Sequence, residues 1–355
     1  MHLPQENNQS SLAQLEYEEL ETLITGQGWS KTHALDLFRQ IQRYGHTHEA
    51  LFPDSPFPKK MRSWLKGQTL WNPFEWQVHT SSDGSVKYVG VLADGNRIET
   101  LLMPTDDRDT ICLSSQVGCA MACSFCATGT MGLKRHLRAE EILHQVRMVI
   151  RDQAVPAGRQ RRMNLHFMGM GEPLHNYDQV MKAFRILTDS RGLGFPQMDI
   201  GLSTCGYLPG IKKLATETRR PALMLSIGSP ETTTRNQLMP VNKAWPLAEV
   251  IEFLRTYPLR KRERIMLSYV LIQGQNDQIE DAEKLLELAR NLNCLINLIP
   301  MNEHGSSAGM LEPEEDHIQF FSRHLIERGA FCTIRRSRGR DIQGACGQFV
   351  QEMKR

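Results

Sequence analysis

The chain has 355 residues, which exceeds one ordinary domain, although a single (β/α) domain with an appendage also accounts for that length. Its 40% hydrophobic and 23% charged residues are ordinary for a globular protein, and a formal net charge of +2 does not by itself indicate a polyanionic partner. The N-terminus is polar, and no apolar run approaches the roughly 20 residues that span a bilayer. We therefore expect a cytoplasmic protein without a membrane partner.

The first part of the chain is predicted to be helical and then to form a hairpin. Apolar residues such as Leu20 and Ile24 recur at helix-like intervals across residues 12–70. Two strand-like segments follow, at 86–92 and 97–103, and an Asp-Gly turn joins them. The hairpin is predicted to connect the helical part to the rest of the chain.

Strands and helices alternate in the remainder of the chain. The predicted strands are 110–114, 163–168, 199–204, 222–227, 264–272, 294–299 and 331–335. The predicted helices are 138–151, 176–190, 209–217, 246–256, 279–292 and 314–328. Such alternation predicts an α/β fold, with a parallel sheet in an open or closed (β/α) barrel and helices outside it. We therefore divide the chain into an accessory helical domain, a connecting hairpin and a main domain, at residues 1–85, 86–104 and 105–355.

Basic residues are concentrated in two segments, 255–264 and 331–340. Such clusters on a nearly neutral protein can contact phosphate groups without making the whole surface basic. On composition alone, a solvated charged surface explains them equally well.

Three cysteines with the spacing C-x3-C-x2-C follow the first predicted barrel strand: Cys119, Cys123 and Cys126. Cysteine thiolates hold iron–sulfur clusters, normally four for a [4Fe-4S] cluster, so three would leave one iron open for chemistry. The alternatives are a zinc knuckle and three unrelated buried cysteines. A zinc knuckle usually shows a second pair of ligands, and none follows here with that spacing. The eight cysteines of the chain suit metal or redox chemistry in a reducing compartment better than a disulfide framework.

A glycine-rich turn, Gly169-Met-Gly-Glu-Pro173, follows the second predicted barrel strand. Its glycines allow close backbone approach, and its carboxylate can accept from a ligand ammonium group. Together with the three cysteines and Phe125, this turn resembles the radical S-adenosylmethionine (SAM) superfamily. The resemblance implies a partial (β/α)6-type barrel with one [4Fe-4S] cluster per chain, whose open iron chelates the methionine portion of SAM. It also implies that one-electron reduction of SAM yields a 5′-deoxyadenosyl radical.

Further motifs over nearly the whole chain are similar to the RlmN/Cfr family, namely 106–119, 126–129, 167–173, 202–204, 296–300 and 344–348. That family methylates an adenine of 23S ribosomal RNA, and RlmN-type members also methylate one in tRNA. The resemblance implies an RNA methyltransferase acting at an adenine ring carbon, C2 by default. Two SAM molecules per turnover, a cellular one-electron reductant and an RNA-binding N-terminal domain are also implied. The alternatives are a Cfr-like C8 methyltransferase and a non-catalytic iron–sulfur protein that binds RNA.

The same resemblance implies roles for single residues. Cluster ligation falls to Cys119, Cys123 and Cys126, and SAM binding to Gly171, Glu172, Ser203, Ser226 and Asn302. Cys346 would be the methyl carrier, Cys112 its partner in a transient disulfide, and Glu99 the proton acceptor. A thiol carrier is needed because an sp² ring carbon is not nucleophilic enough to take a methyl group from SAM directly, whereas a thiolate is. Without the resemblance, Cys112 is predicted to be structural, Glu99 a surface carboxylate, and the two serines ordinary strand-end hydroxyls.

The sequence departs from the family pattern at several positions around the SAM pocket. Gly228 stands where the family has a histidine, Ser268 where it has a glutamate, and Gln343-Gly344 where it has Asp-Ala. After Pro300 the usual Trp-Asn-Pro is Met-Asn-Glu. The residues required for thiol and radical chemistry are all present. The departures therefore concern substrate and efficiency more than the class of reaction.

Overall fold

The protein is described by a computed structural model, which covers residues 11–46, 55–72, 74–153, 162–305, 307 and 309–349. The chain folds into two compact units. The helical unit comprises Met1–Phe74, Arg138–Asp152 and Asp178–Pro196. The sheet unit comprises Glu75–Leu137, Gln153–Tyr177 and Gln197–Arg355. Within the described residues, no helix is long and apolar enough to cross a membrane.

The regular elements are numbered in chain order. The described helices are α1 (Tyr17–Gly26), α2 (Lys31–Gln42), α3 (Lys59–Leu65), α4 (Ala127–Thr130), α5 (Ala139–Asp152), α6 (Tyr177–Leu187), α7 (Leu208–Ala215), α8 (Thr232–Leu238), α9 (Leu247–Leu254), α10 (Ile279–Ala289) and α11 (Glu315–Glu327). The described strands are β1 (Glu75–Thr80), β2 (Val86–Val91), β3 (Arg97–Pro104), β4 (Arg108–Cys112), β5 (Gln116–Gly118), β6 (Leu133–His136), β7 (Arg162–Phe167), β8 (Ile200–Thr204), β9 (Ala222–Ser226), β10 (Ile265–Leu271), β11 (Cys294–Pro300) and β12 (Cys332–Ile334).

The helical unit is held by apolar faces and by the buried carboxylate of Glu140. On α2, Ala34, Leu37, Phe38 and Ile41 are buried at intervals of three and four residues, which is the spacing of one helix face. Glu140 of α5 accepts hydrogen bonds from the side chains of Ser11 and Asn72, the latter at 2.8 Å. The predicted helices 138–151 and 176–190 are confirmed, but α5 and most of α6 belong to this unit rather than to the unit with the sheet.

A ten-stranded sheet forms the core of the sheet unit, in the order β1-β2-β3-β4-β7-β8-β9-β10-β11-β12. From β1 to β4 neighbouring strands are antiparallel, and from β4 to β12 they are parallel. Burial of the strands on both faces explains their continuous apolar runs, such as Leu223 to Leu225. The predicted α/β class and the seven predicted barrel strands are confirmed.

Two features of the sheet differ from the prediction. β1, which falls within the predicted helical domain, pairs antiparallel with β2 and forms an edge of the sheet. The hairpin of β2 and β3 continues the main sheet through pairing of β3 with β4, so it is part of the core and not a separate connection. A second, two-stranded sheet of β5 and β6 was not predicted.

Candidate active site

One cavity of the sheet unit collects almost every side chain that the sequence singled out. It lies where the parallel strands end, the position at which ligands bind in open α/β sheets. Its lining includes Cys112, Cys119, Cys123, Cys126, Gly171, Glu172, Ser203, Ser226, Asn302 and Cys346. Of the predicted site residues, Glu99 is the exception. The cavity therefore joins the predicted cluster ligands, the predicted SAM contacts and both predicted reactive thiols.

The three-cysteine loop is fixed by backbone contacts on both sides. The amide of Cys119 donates to Gly132 O at 3.1 Å, and the amide of Ser124 donates to Leu238 O at 3.0 Å. Gly129 of α4 allows close packing, since a Cβ there would lie 2.7 Å from Cys123 O. The loop is therefore held in one shape by its neighbours.

The three cysteines are half-buried, and the surrounding protein removes much of the water from their thiols. Burial raises the pKa of Cys119 to about 12, and it also raises the pKa of Cys123 and of Cys126. For Cys123, negative charge on the other two sulfurs raises the pKa further. A bound iron–sulfur cluster would lower these pKa values instead, because positive metal ions deprotonate the thiols that coordinate them.

The donor set suits a cluster better than one ion. Among the described residues, no three His, Cys, Asp or Glu side chains are grouped so as to hold a single metal ion. A zinc site needs its ligands around one centre, whereas a cluster distributes its cysteine ligands over several irons. The loop thus offers three half-buried cysteines that line one cavity, as a site-differentiated cluster requires.

The glycine-rich turn needs its glycines because neighbouring residues leave no room for a Cβ at either position. A Cβ on Gly169 would lie 2.8 Å from the backbone of Leu113 and Ser114. Gly171 has a φ of +100°, and a Cβ there would lie 2.5 Å from Gln116 Cβ. Any other residue at either position would therefore require its neighbours or the backbone to move. The buried Gln116 side chain also accepts from the Glu172 amide at 2.7 Å, so it supports the turn directly.

Glu172 is a buried carboxylate held by backbone donors. Oε1 accepts from the Leu174 amide at 3.0 Å, and Oε2 accepts from the Cys205 amide at 2.9 Å. Burial raises the pKa of Glu172, and these backbone donors oppose that rise. Each carboxylate oxygen can accept a further hydrogen bond, so the group can still receive a ligand ammonium.

Polar groups at the strand ends are available to a ligand. The hydroxyls of Ser203 and Ser226 lie 3.5 Å apart. Asn302 donates to Cys346 O at 2.9 Å, while its buried Oδ1 has no protein partner among the described residues. The buried Ser268 hydroxyl, which also lines the cavity, likewise has none. Buried polar atoms are normally satisfied, so these positions fit a polar ligand such as the nucleoside part of SAM.

The segment with Cys346 is bound to the three-cysteine loop. Ala127 donates its amide to Gly347 O at 2.7 Å, and the Thr128 hydroxyl donates to Phe349 O at 2.9 Å. Gly347 has a φ of +84°, and a Cβ there would lie 3.2 Å from Phe125 O. The glycine after the predicted methyl carrier thus permits close approach to the predicted cluster site.

Cys112 and Cys346 are both free and line the same cavity. Cys346 is solvent-accessible but lies in the concave cavity, whose protein walls raise the pKa of its thiol. Burial raises the pKa of Cys112 to about 12, and negative charge on Cys346 raises it further. The Arg335 guanidinium lowers the pKa of both thiols. The two thiols are therefore within electrostatic reach of one another and of one cation.

Glu99 is buried, with 1% of its surface exposed, and it is not part of the cavity lining. Its Oε2 lies 3.8 Å from Nζ of the equally buried Lys87. Leu101, two residues further along β3 and on the same face, lines the cavity. The prediction of a solvated carboxylate from the hairpin pattern alone is wrong, because the hairpin is inside the sheet. Sequence reasoning missed Lys87, whose signal was a lysine in an otherwise apolar strand.

The positions that depart from the family pattern lie at or near the cavity. Gly228 has a φ of +67°, and a Cβ there would lie 2.5 Å from Met239 Sδ, so Met239 occupies the space beside it. Gln343 is exposed, and its backbone oxygen accepts from Lys87 Nζ at 3.4 Å. These contacts lie around the cavity and the Cys346 segment, and they remove none of the predicted reactive groups.

Comparison with known proteins gives consistent matches. Residues 113–289 match the model of the radical SAM superfamily. The "Dual-specificity RNA methyltransferase RlmN" of Pelobacter propionicus is 36% identical over 96% of this chain and 95% of its own length. "RlmN 2" of Myxococcus xanthus is 39% identical over 96% of this chain and 90% of its own length. A crystal structure of a radical SAM methyltransferase from Sphaerobacter thermophilus superposes with a TM-score of 0.89 at 38% identity, covering 96% of this chain and 99% of that one.

Proposed function

The chain belongs to the RlmN family of radical SAM RNA methyltransferases, and we propose that it methylates C2 of an adenine in 23S ribosomal RNA, tRNA or both. The observation that carries this proposal is the cavity in which Cys346 and Cys112 face the three-cysteine loop. A cluster that only transferred electrons would not need two further thiols beside it. The non-catalytic alternative therefore leaves this arrangement without explanation.

The chain's own residues would hold the two cofactors. Cys119, Cys123 and Cys126 would ligate one [4Fe-4S] cluster, a role supported by their common position in the cavity lining. Glu172 would accept from the SAM ammonium group, and the free polar atoms at the strand ends would contact the remainder of SAM. When bound, the pair supplies a 5′-deoxyadenosyl radical that removes hydrogen from a methyl group. The assignments of Gly171, Ser203, Ser226 and Asn302 are part of the proposal.

In this proposal, Cys346 carries the methyl group. Its thiolate forms an S–CH3 bond as the methyl–sulfonium bond of a first SAM breaks, which leaves S-adenosylhomocysteine. The positive charge of Arg335 favours that thiolate by lowering the pKa of Cys346. A second SAM is required for hydrogen removal, hence two per turnover. The methylene carbon attached to Cys346 then bonds to the adenine ring.

Release of the product needs Glu99 and Cys112. Glu99 accepts the ring proton, and Nζ of Lys87 lies 3.8 Å from its Oε2. The Cys112 thiolate bonds to the Cys346 sulfur as the S–CH2 bond breaks. The freed CH2 gains a proton, and one electron must pass to a one-electron acceptor, a role that the oxidised cluster would supply. Cellular thiols would reopen the resulting disulfide, so the proposal includes a cytoplasmic location, where such thiols are kept reduced.

The partners in this proposal are RNA and a one-electron donor. The N-terminal helical part of the chain would bind RNA, and its first ten residues lie outside the described part of the chain. The basic segment that ends the sheet contributes Arg335, Arg336 and Arg338 to the cavity wall, where they could contact RNA phosphates. The cellular reductant is expected to be an electron carrier of low potential.

Mass spectrometry of nucleosides tests the proposal. Ribosomal RNA and tRNA are digested from cells with and without the gene, and we expect 2-methyladenosine to disappear when the gene is deleted. Disappearance of 8-methyladenosine instead would support the Cfr-like alternative. An anaerobically reconstituted protein that binds iron and sulfide but never cleaves SAM when reduced would support the non-catalytic alternative.

A further inference from the structure

Arg235 on α8 is a buried cation that has no acidic partner among the described residues. It is fully buried, at 0% exposure, and it has the largest fully buried side chain of the described residues. No carboxylate of the described chain lies within ion-pair distance of it. Other buried cations of the sheet unit are paired, for example Arg220, whose Nη2 lies 3.5 Å from Glu263. A buried charge without a counter-charge is costly, so the position of Arg235 calls for one.

The guanidinium makes hydrogen bonds only to neutral groups. Nε donates to Asn242 Oδ1 at 3.0 Å, and Nη2 donates to Cys205 O at 2.8 Å. Nη1 donates to the backbone oxygens of Ser226, at 3.1 Å, and of Ile227. These bonds satisfy the donors and link the ends of β8 and β9. They leave the positive charge itself without a compensating negative charge.

Arg235 lies directly behind the wall that faces the predicted cluster. Two of its partners, Cys205 and Ser226, line the cavity. Met239, whose Sδ is 3.3 Å from Nη1, lines it as well and belongs to the apolar group that packs against Cys119 and Cys123. The carbonyl of Leu238, at the end of α8, accepts from Ser124 in the three-cysteine loop. Arg235 and the loop thus belong to one packed assembly.

The charge of Arg235 persists at neutral pH. Burial lowers its pKa to about 10, and negative charge on Cys205 and Cys123 opposes that fall. A [4Fe-4S]2+ core with three thiolates carries a net charge of −1, which becomes −2 on one-electron reduction. A fixed cation nearby favours the more negative form, and net charge around a cluster is one determinant of its potential.

We propose that Arg235 is the counter-charge of the bound cluster and that it raises the cluster's midpoint reduction potential, so that a cellular donor can reduce it. This inference rests on the [4Fe-4S] cluster of the proposed function. Arg235 is a positioning residue, since it acts through the cluster and not on SAM or RNA. We use Coulomb's law with an effective dielectric constant of about 20 for the guanidinium and the electron added to the cluster. At a separation of about 12 Å, this interaction changes the ratio of reduced to oxidised cluster about tenfold.

The test is a redox titration of the reconstituted full-length protein, followed by optical and electron paramagnetic resonance spectra. Iron and sulfide content are measured first for the wild type and for Arg235→Lys, Arg235→Gln and Arg235→Met. Two neutral variants are used because Gln retains a polar group for the backbone oxygens if Met does not take up the cluster. Arg220→Met is the matched control, since it removes a buried guanidinium while Glu263 keeps its contact with Arg260 at 2.6 Å.

We expect the neutral variants to lower the reduced-to-oxidised ratio at a fixed potential about tenfold, a shift of about 59 mV to more negative values. Arg235→Lys and Arg220→Met should titrate as the wild type does. An unchanged potential in a fully loaded neutral variant would overturn the inference, and so would equal shifts in the Lys and Gln variants, which would indicate a purely structural role. A wild-type protein that fails to bind about four irons would instead overturn the proposed function.

Discussion

Replacing Gly171 by Ala tests the geometry of the glycine-rich turn. An L-residue at a φ of +100° carries a backbone penalty of about 1–2 kcal/mol. The new Cβ would also lie 2.5 Å from Gln116 Cβ, and overpacking of that kind costs typically about 1–3 kcal/mol. We therefore expect the free energy of unfolding in urea to fall by about 2–5 kcal/mol. Because Gln116 also accepts from the Glu172 amide, the same clash should displace Glu172 and weaken SAM binding to the cluster-loaded protein.

Gly95→Ala is the matched control for this substitution. Gly95 has a φ of +78°, and nothing lies within 4 Å of the position that its Cβ would occupy. It therefore isolates the backbone penalty from the clash, and we expect a loss of only about 1–2 kcal/mol with unchanged SAM binding. Equal losses of stability in the two variants, with SAM affinity retained in Gly171→Ala, would refute the assigned contact between Gly171 and Gln116.

Three further predictions concern the thiols and the buried ion pair. Cys112→Ala should halt the reaction with RNA still bonded to Cys346. This covalent protein–RNA adduct would be visible as a protein band of reduced mobility on a denaturing gel. Normal release of methylated RNA would contradict the role of Cys112. The apo protein should lose stability to urea as pH rises from about 9 to 12, because burial raises the folded-state pKa of Cys112 and Cys119 to about 12, so that protons leave the unfolded state first. This loss should be smaller in Cys112→Ala, and a urea midpoint equal at pH 7 and pH 10 would argue against neutral buried thiols. Lys87→Met should lower the free energy of unfolding by about 3–5 kcal/mol, because it leaves the Glu99 carboxylate buried without its cation. The double variant Lys87→Met, Glu99→Leu should recover most of that stability. A double variant as unstable as the single one would contradict the pairing.

The sequence predicted the strands of the parallel sheet and the position of the cavity, because both depend on short local patterns. In the ten-stranded sheet, β4 and the strands from β7 to β12 were predictable, because short apolar runs alternate there with helical segments along the chain. The cavity was predictable in part because parallel strands bring their C-terminal ends together, which gathers the residues that follow β4, β7 and β11. The cysteine spacing and the glycine-rich turn lie on two of these ends, so their proximity followed from topology alone.

The remaining features depend on pairing between distant parts of the chain. β1 has a weak, mostly exposed pattern and becomes a strand only through its pairing with β2. The burial of Glu99 depends on Lys87 of the neighbouring strand, and strand register is not legible in a single sequence. Arg235 lies in a polar run for which the sequence predicted no element, and its guanidinium is held by carbonyl oxygens at the ends of β8 and β9. Gln116 gave no signal, because its role consists of contacts to the turn at Gly171.

The most direct test of methyl transfer through Cys346 is complementation of a gene-deletion strain. The strain is supplied with either the wild-type gene or Cys346→Ala, and adenosine methylation in ribosomal RNA and tRNA is measured by mass spectrometry. Protein levels and iron content of both forms are checked, since Cys346 is not among the proposed cluster ligands. The account predicts 2-methyladenosine with the wild type and none with Cys346→Ala. Full methylation by the Cys346→Ala protein would contradict it.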